Sequence, residues 1–262
     1  MLLHYFLESA LFALIFMILG FILSRIIKLV SLIDALWPLT PLLISFMLLM
    51  RTPYSFTKIL LFSSILIWSL RLSFFIIWTR VLKKHEDSRY KKILPDANSK
   101  KKELLIFFQF IFQWFLQICL SLSFLPFFWT SKDPSYFLLI GGFILALLCV
   151  LGEAKADSDL LVFKRKKTGS FLTTGLWAYS RHPNYFFDWL FWVAIGVMGS
   201  SLSLGGLSFI GSIIMWIIFN YLTGPLTERL SLKKYKEPYS SYLKKVPFMI
   251  PHLSFFKKSK RQ

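Results

Sequence analysis

The sequence predicts an all-α membrane protein whose chain crosses the bilayer about seven times. Hydrophobic residues make up 56% of the 262 residues, and 29 of them are Phe. Nearly uncharged stretches recur, each close to the ~20 residues that a membrane-spanning helix needs. The basic residues between these stretches fall almost entirely on one side of the predicted membrane. Together these observations exclude a soluble globular domain and indicate a polytopic helical bundle.

The apolar stretches define the predicted spans and leave little chain between them. In chain order the spans cover residues 5–24, 29–50, 57–79, 104–129, 135–152, 184–200 and 203–224. The first has no basic segment before its apolar run and no small-residue cleavage site after it, so we interpret it as a span rather than a signal peptide. Because no linker or repeat interrupts the chain, residues 1–262 are expected to form a single membrane domain.

The distribution of Lys and Arg predicts the orientation. Of the 31 basic residues, 27 lie in the loops after spans one, three and five or after span seven, whereas Arg51, Lys58 and Lys132 lie on the opposite side. The positive-inside rule then predicts an outside N-terminus and a cytoplasmic C-terminus. The net charge of +18 is explained by this topology and by anionic headgroups, so we expect no nucleic-acid partner.

Three polar segments are expected on the cytoplasmic side. They are the loops 80–103 and 153–183 and the C-terminal segment 225–262. The last alternates Leu and Tyr with many Lys, which predicts an amphipathic helix on the inner face of the membrane. Proline cannot continue a helix undisturbed, so we expect a break near Pro238 and an end by Pro247.

Charged side chains inside the predicted spans need partners or a polar cavity, because each costs ~2.5–3.5 kcal/mol at membrane depth. Asp34 lies in span two, and Arg71 and Arg80 lie in and at the end of span three. For Arg71 the alternatives are an ion pair with Asp34 or an inward-facing polar site, and the second is favoured. For Arg80 the alternatives are contact with lipid headgroups or the same polar site.

Residues 180–185, Ser-Arg-His-Pro-Asn-Tyr, concentrate polar side chains where a loop meets the sixth span. Arg181, His182, Asn184 and Tyr185 together can hold an anionic cofactor. The alternative is an interfacial anchor of aromatic and basic residues, which membrane helices commonly carry.

A second polar set lies at the end of span five. Glu153, Asp157 and Leu160 follow helical spacing, and Lys164 comes four residues later on the same face. Polar groups in line on one face predict a bound polar ligand, with capping of the helix end as the alternative. The turn from His85 to Tyr90 is typical of a solvated loop.

Several strings in this order resemble the steroid 5-alpha-reductase-like membrane family, and more narrowly an uncharacterised bacterial branch of the DUF1295 type. The matching strings are Asp34-x-x-Trp37, Arg71 with Arg80, Glu86-Asp87-x-Arg89-Tyr90, Gly152-Glu153-x-x-Ala156-Asp157 with Phe163-Lys164, the SRHPNY segment, and Glu228 followed by Tyr235, Tyr239 and Tyr242.

The resemblance implies a membrane-embedded, NADPH-dependent reductase of a C=C bond in a steroid-like or isoprenoid membrane lipid. In that family the C-terminal half, here about 135–250, holds NADPH in a cytoplasm-facing pocket, and the substrate lies in the membrane part. The family's cofactor positions match Asp157, Lys164, Asn184 and Tyr185. The further candidates for cofactor binding are Glu153, Arg181, His182, Glu228 and Tyr239. Tyr90, Asp87 and Arg71 are candidates for catalytic groups near the reacting end.

The resemblance has two departures. The steroid reductases carry a His and an Arg near the start of the last segment, whereas this chain reads Thr223-Gly224-Pro225-Leu226-Thr227-Glu228 there, so we expect those two contacts to be absent. The other departure follows the SRHPNY segment. The family string usually continues Asn-Tyr-Phe-Gly-Glu, whereas this chain has Phe187 and Asp188 in the last two positions. Phe187 replaces a glycine that permits close helix approach, so we expect different packing there. Asp188 keeps the carboxylate on a shorter side chain.

Two other functions stay open. The first is an isoprenylcysteine-type methyltransferase, which shares a similar Arg-His-Pro-x-Tyr string and would hold S-adenosylmethionine in the same pocket. The second is a lipid-binding membrane protein without catalysis. NADPH phosphates need several Lys or Arg, whereas a sulfonium prefers carboxylates and aromatic faces. Cys119 and Cys149 lack metal-ligand spacing, so we expect no metal site, and no Rossmann or Walker motif is present.

Overall fold

The computed structural model describes residues 1–93, 99–129, 134–166 and 168–251, and within these ranges it contains helices and no strands. Six described helical segments are long and apolar enough to cross a membrane, so the chain is a polytopic integral membrane protein. They are Leu2–Ile26, Leu32–Met50, Phe56–Val81, Lys100–Trp129, Tyr136–Arg165 and Gly205–Lys245. Lys132, Lys167 and residues 252–262, which entered the charge analysis, lie outside the described ranges.

The α-helices are numbered in chain order. They are α1 Leu2–Ile26, α2 Leu32–Leu36, α3 Leu39–Met50, α4 Phe56–Ile76, α5 Ser88–Ile93, α6 Ser99–Ser121, α7 Leu125–Trp129, α8 Tyr136–Arg165, α9 Pro183–Gly199, α10 Ile210–Ile217 and α11 Gly224–Lys245. Two π-helical turns accompany them. Ile77–Val81 extends α4, and Ile218–Thr223 joins α10 to α11.

Helices lie at all seven predicted span positions, but one is short. The predicted sixth span is α9, whose 17 residues rise about 25 Å, near the lower limit for crossing a bilayer. The predicted seventh span and the helix expected after it form one continuous segment, Gly205–Lys245. The predicted segment 153–183 begins inside α8, which continues to Arg165, as the helical spacing of Glu153, Asp157 and Lys164 predicts.

The second predicted span is broken between α2 and α3 at Trp37 and Pro38. Proline has no N–H and cannot complete the helical ladder. The carbonyl of Ala35 at this break accepts a hydrogen bond of 2.8 Å from the buried Ser73 hydroxyl of α4. A side chain of the neighbouring helix therefore satisfies a carbonyl group beside the proline, as expected at membrane depth.

Aromatic side chains of α4 and α9 form the centre of the bundle. Trp68 stacks on Phe191 with ring centroids 5.3 Å apart, and it meets Trp192 edge-on at 5.2 Å. Trp192 in turn stacks on Phe124, which follows α6. All four side chains are buried, so this packing fixes α9 against α4.

Close contact between α8 and α9 depends on two glycines. A Cβ atom at Gly142 would lie 2.9 Å from the backbone oxygen of Ala194, which leaves no space for a side chain. A Cβ atom at Gly152 would lie 2.5 Å from the Phe187 ring. Gly152 on the facing helix therefore leaves the space that the bulky Phe187 ring occupies. In a chain with glycine at position 187 this ring would be absent, so the packing of α8 against α9 differs there.

The helix α11 bends as the sequence predicts. Lys236 has φ of 51° and ψ of −132°, two residues before Pro238, and α11 ends at Lys245, just before Pro247. Beyond the bend Tyr239 and Tyr242 are buried against Phe171 of the loop after α8. The C-terminal end of α11 thus covers the loop that leads to α9.

Candidate functional site

A cavity of about 920 Å³ lies where α4, α8, α9 and α11 come together. Ten of the twelve predicted site residues line it, and the other two, Arg71 and Glu228, lie behind the lining. The ten are Asp87, Tyr90, Glu153, Asp157, Lys164, Arg181, His182, Asn184, Tyr185 and Tyr239. The Glu153, Asp157, Leu160 and Lys164 face of α8 forms one wall, as the helical spacing predicts.

An ion-pair network joins three helices at the α8 wall of the cavity. Arg71 of α4 has Nη2 2.6 Å from Oδ2 of Asp157 and Nη1 2.8 Å from Oε1 of Glu153. Asn184 at the start of α9 donates from Nδ2 to Oδ1 of Asp157 at 3.2 Å. The alternative pairing of Arg71 with Asp34 is therefore wrong, and Arg71 acts on the cavity through these carboxylates.

Two acceptor atoms in this network have no partner. Oε2 of Glu153 and Oδ1 of Asn184 are buried and form no hydrogen bond within the described part of the chain. Both residues line the cavity, and Glu153 is only 4% exposed. Because a buried polar atom without a hydrogen bond is unfavourable, these two oxygens could accept hydrogen bonds from a ligand in the cavity.

Asp188, which is not among the predicted site residues, adds a third carboxylate to the same wall of the cavity. Asp188 is buried one helical turn after Asn184, and its Oδ1 accepts a hydrogen bond of 3.0 Å from Nε1 of Trp68. Glu153, Asp157 and Asp188 thus face the cavity beside the one guanidinium of Arg71. The i, i+4 spacing of Asn184 and Asp188 is the signal that could have identified it.

Charged groups from distant chain segments meet at a second wall. Oδ2 of Asp34 lies 2.5 Å from Nη1 of Arg80 and 2.7 Å from Nη2 of Arg89. The Tyr90 hydroxyl donates to Oδ1 of Asp34 at 2.6 Å. Asp87 completes the set at 3.0 Å from Arg80 and 3.1 Å from Arg89. Arg80 therefore binds carboxylates, and the alternative in which it only contacts headgroups is wrong.

The turn before α5 is not the solvated loop that its composition predicts. Tyr90 is 4% exposed, and burial raises the pKa of its hydroxyl well above the usual value. Burial opposes ionisation of Asp87, yet the guanidinium groups of Arg89 and Arg80 hold the pKa of its carboxyl well below the usual range. Asp87 is thus a carboxylate and Tyr90 a neutral phenol at neutral pH.

Glu86 fixes this turn to the start of α2. Its carboxylate accepts hydrogen bonds from the backbone N–H groups of Val30 at 2.7 Å and Ser31 at 2.8 Å, and from the Ser31 hydroxyl. A carboxylate at a helix N-terminus satisfies otherwise unpaired donors and complements the helix dipole. The turn is therefore held rigidly enough to define one wall of the cavity.

The SRHPNY segment carries a stack of rings. His182 stacks on Tyr185 at 4.8 Å between centroids, and Tyr185 stacks on Phe219 at 4.5 Å, each pair with planes 4° apart. Burial lowers the pKa of His182, although Glu228, whose Oε1 lies 3.3 Å away, opposes this. His182 is thus a neutral imidazole at neutral pH, facing the cavity rather than lipid headgroups.

Arg181 is largely occupied by protein partners. Its Nε lies 2.6 Å from Oε1 of Glu228, and its Nη1 donates to the carbonyls of Leu243 at 2.8 Å and Val246 at 2.6 Å. The Arg181 backbone N–H also bonds the carbonyl of Pro247. Arg181 and Glu228 therefore hold the C-terminal end of α11 over the site.

Two lysines at the mouth of the cavity are free of ion pairs. Lys164 at the end of α8 and Lys234 of α11 line the cavity, and in the described ranges neither pairs with a carboxylate. The ammonium of Lys234 lies 4.8 Å from the centroid of the Tyr235 ring. Among the residues that the structure describes, no group of His, Cys, Asp and Glu could hold a metal ion.

Comparison with known proteins gives one match. A family model described as "Protein of unknown function (DUF1295)" matches residues 20–246, which include every residue of the cavity. No curated protein and no solved structure matches the chain.

Proposed function

We propose that this chain, which belongs to the DUF1295 family of proteins of unknown function, is an NADPH-dependent reductase. Its substrate would be a C=C bond in a steroid-like or isoprenoid membrane lipid. The observation that carries the proposal is one cavity with two chemically different ends. At the end near Lys164 and Glu153 its lining is charged, and between α6 and α10 it is mainly apolar and lies among membrane helices. A charged cofactor and an apolar substrate need such a cavity.

The residues at the charged end fit NADPH. A volume of about 920 Å³ is within the range of ligand pockets, about 300–1,000 Å³. Lys164 and Lys234 would bind phosphate groups, because their ammonium groups are free of carboxylate partners. The unpaired oxygens of Glu153 and Asn184 would accept hydrogen bonds from an amide such as that of a nicotinamide.

The second wall of the cavity would act on the substrate. The chemistry that NADPH brings when bound is hydride donation to carbon. Tyr90 keeps its proton, and its hydroxyl would have to turn from Oδ1 of Asp34 to donate a hydrogen bond to a carbonyl conjugated with the double bond, stabilising an enolate. Asp87 would hold Arg89 and Arg80 in place around Tyr90. Arg71 would act as a positioning residue, since it reaches the cavity only through Glu153 and Asp157.

The cellular setting belongs to the same proposal. With 27 of 31 basic residues in segments predicted to lie on one side, we place the C-terminus in the cytoplasm and the N-terminus outside a bacterial inner membrane. The mouth at Lys164 then faces the compartment that supplies NADPH.

One observation favours a second candidate, a methyltransferase that uses S-adenosylmethionine. Glu153, Asp157 and Asp188 outnumber the one guanidinium of Arg71 beside them, and the rings of His182 and Tyr185 line the same cavity. Carboxylates and aromatic faces stabilise a sulfonium cation. An oxidised nicotinamide is also cationic, so the same surplus is compatible with the reductase.

Ligand-dependent thermal stability separates the two candidates. Purified protein in lipid nanodiscs is heated with NADPH, with S-adenosylmethionine or with neither. The reductase proposal expects stabilisation by NADPH, by about 2.7 kcal/mol at a concentration of roughly 100 Kd. Stabilisation by S-adenosylmethionine without a response to NADPH would overturn the proposal in favour of the methyltransferase.

A further inference from the structure

Three glutamines lie in register on the membrane helix α6. Gln109, Gln113 and Gln117 are four residues apart, so they form a ladder with steps of about 6 Å along the helix. Gln117 is 13 residues into the predicted span 104–129, or about 20 Å along it, which is near the middle of a bilayer core of about 30 Å. Polar side chains at this depth are unfavourable unless they have a binding partner.

Gln117, the deepest of the three glutamines, lacks such a partner in the part of the chain that the structure describes. Gln117 is 0% exposed, and neither its Oε1 nor its Nε2 forms a hydrogen bond with any residue that the structure describes. Gln109 and Gln113 line the cavity, and they too form no hydrogen bond within the described ranges. Gln109 and Gln113 therefore present amide groups to the cavity, and Gln117, which is not part of the cavity lining, lies one turn deeper in the helix.

The surroundings of the ladder are apolar and open to the bilayer. Phe112 and Leu116 of α6 line the cavity between the glutamines, and Phe219 and Leu222 line it from the π-helical turn opposite. Phe112 is 44% exposed and Leu222 is 46% exposed, although both lie in membrane helices. A molecule that reaches the glutamines from this side comes from the lipid phase.

We infer that Gln109 and Gln113 bind the oxygen function of a neutral lipid that enters the cavity between α6 and the Ile218–Thr223 turn. This inference deepens the proposed function and rests on it only for the reaction. An amide both donates and accepts hydrogen bonds and carries no charge, so it suits a carbonyl or hydroxyl oxygen. The cavity-lining residues of α6 are Gln109, Phe112, Gln113 and Leu116, so this helix offers no charge to an ionic headgroup.

Photolabelling tests the inference without catalysis. Wild-type protein in nanodiscs is irradiated with a diazirine-bearing steroidal ketone, with an excess of either the unlabelled ketone or the corresponding steroid hydrocarbon. We expect label on peptides of α6 and residues 218–223, removed by the ketone and retained with the hydrocarbon. Label spread over other membrane helices, or equal competition by the hydrocarbon, would overturn the inference.

Two variants measure the contribution of the amides. Gln109→Leu with Gln113→Leu is expected to weaken ketone binding by roughly tenfold or more, the usual effect of losing a buried hydrogen bond. Phe115→Leu, at an exposed position of the same helix outside the cavity lining, is the matched control and keeps wild-type affinity. Equal affinity in all three proteins contradicts the inference. If the double variant does not fold, the labelling pattern of the wild type decides.

NADPH binding in the same preparation separates the two proposals. Label at the ladder without NADPH stabilisation would contradict the reductase and leave the lipid site standing. NADPH stabilisation without label at the ladder would contradict the lipid site and leave the cofactor proposal standing.

Discussion

Asn184 donates a hydrogen bond of 3.2 Å from Nδ2 to Oδ1 of Asp157 and so connects the first turn of α9 to the middle of α8 at the cavity wall. Arg71 binds the other carboxylate oxygen of Asp157 at 2.6 Å. With both partners in place, the Asn184 side chain is oriented with its Oδ1 unpaired. This arrangement places the polar string at the start of α9 in the wall of the cavity.

The variant Asn184→Ala is expected to weaken NADPH binding by about 1–3 kcal/mol, because it removes an acceptor and leaves Oδ1 of Asp157 unpaired. The fold is expected to persist, since the residue lies at the helix start. Isothermal titration in nanodiscs measures the effect. Asn220→Ala is the matched control, because Asn220 bonds only the carbonyl of Trp216 within its own helix. An equal loss in both variants would contradict the role of Asn184.

The variant Arg71→Met is expected to destabilise the protein by about 3–5 kcal/mol, because it leaves Glu153 and Asp157 as buried carboxylates without their cation. Adding Asp157→Asn removes one of these charges and is expected to restore part of the stability. Thermal unfolding of the single and double variants measures the coupling. Strictly additive effects would show that Arg71 does not act through Asp157.

The spacing of polar residues predicted one wall of the site, and long-range contacts formed the rest. Glu153, Asp157 and Lys164 share a helix face, so their helical period places them together. The partners Asp34 and Arg89 are 55 residues apart, and Arg71 and Asp157 are 86 apart. No local period encodes such pairs, because tertiary packing decides them.

The fold also divides into features that local sequence predicts and features that tertiary packing decides. Apolar length predicted a helix at each of the seven span positions, but the short α9 and the long α8 show that composition does not fix helix ends. Arg181 illustrates the limit at residue level. Its sequence context indicates a free cation for phosphate, whereas the carbonyls of Leu243 and Val246, more than 60 residues later, accept its hydrogen bonds.

The variant Lys164→Gln is expected to raise the Kd for NADPH by roughly tenfold, because it removes a cation with no competing ion pair at the cavity mouth. It is also expected to reduce the dependence of that Kd on salt concentration. Lys166→Gln, two residues later and outside the cavity lining, serves as the control. An unchanged salt dependence in Lys164→Gln would exclude Lys164 from phosphate binding.

Reporter fusions test the proposed orientation. A reporter joined after Gln262 is expected to be active only as a cytoplasmic reporter, because most basic residues lie on that side. A reporter inserted between Ser201 and Ser203, in the turn after α9, is expected to show the opposite compartment. Both reporters in the same compartment would contradict the orientation, because they would mean that the intervening segment Gly205–Lys245 does not cross the membrane.

Hydride transfer tests the reductase most directly. The protein in nanodiscs is incubated with NADPH that carries deuterium at C4 of the nicotinamide, together with α,β-unsaturated steroid and isoprenoid ketones, and the lipids are analysed by mass spectrometry. We predict deuterium at the β carbon of a saturated ketone, and its loss in Asn184→Ala but not in Asn220→Ala. Absence of deuterium from every lipid, with methyl transfer when S-adenosylmethionine is supplied instead, would contradict the account.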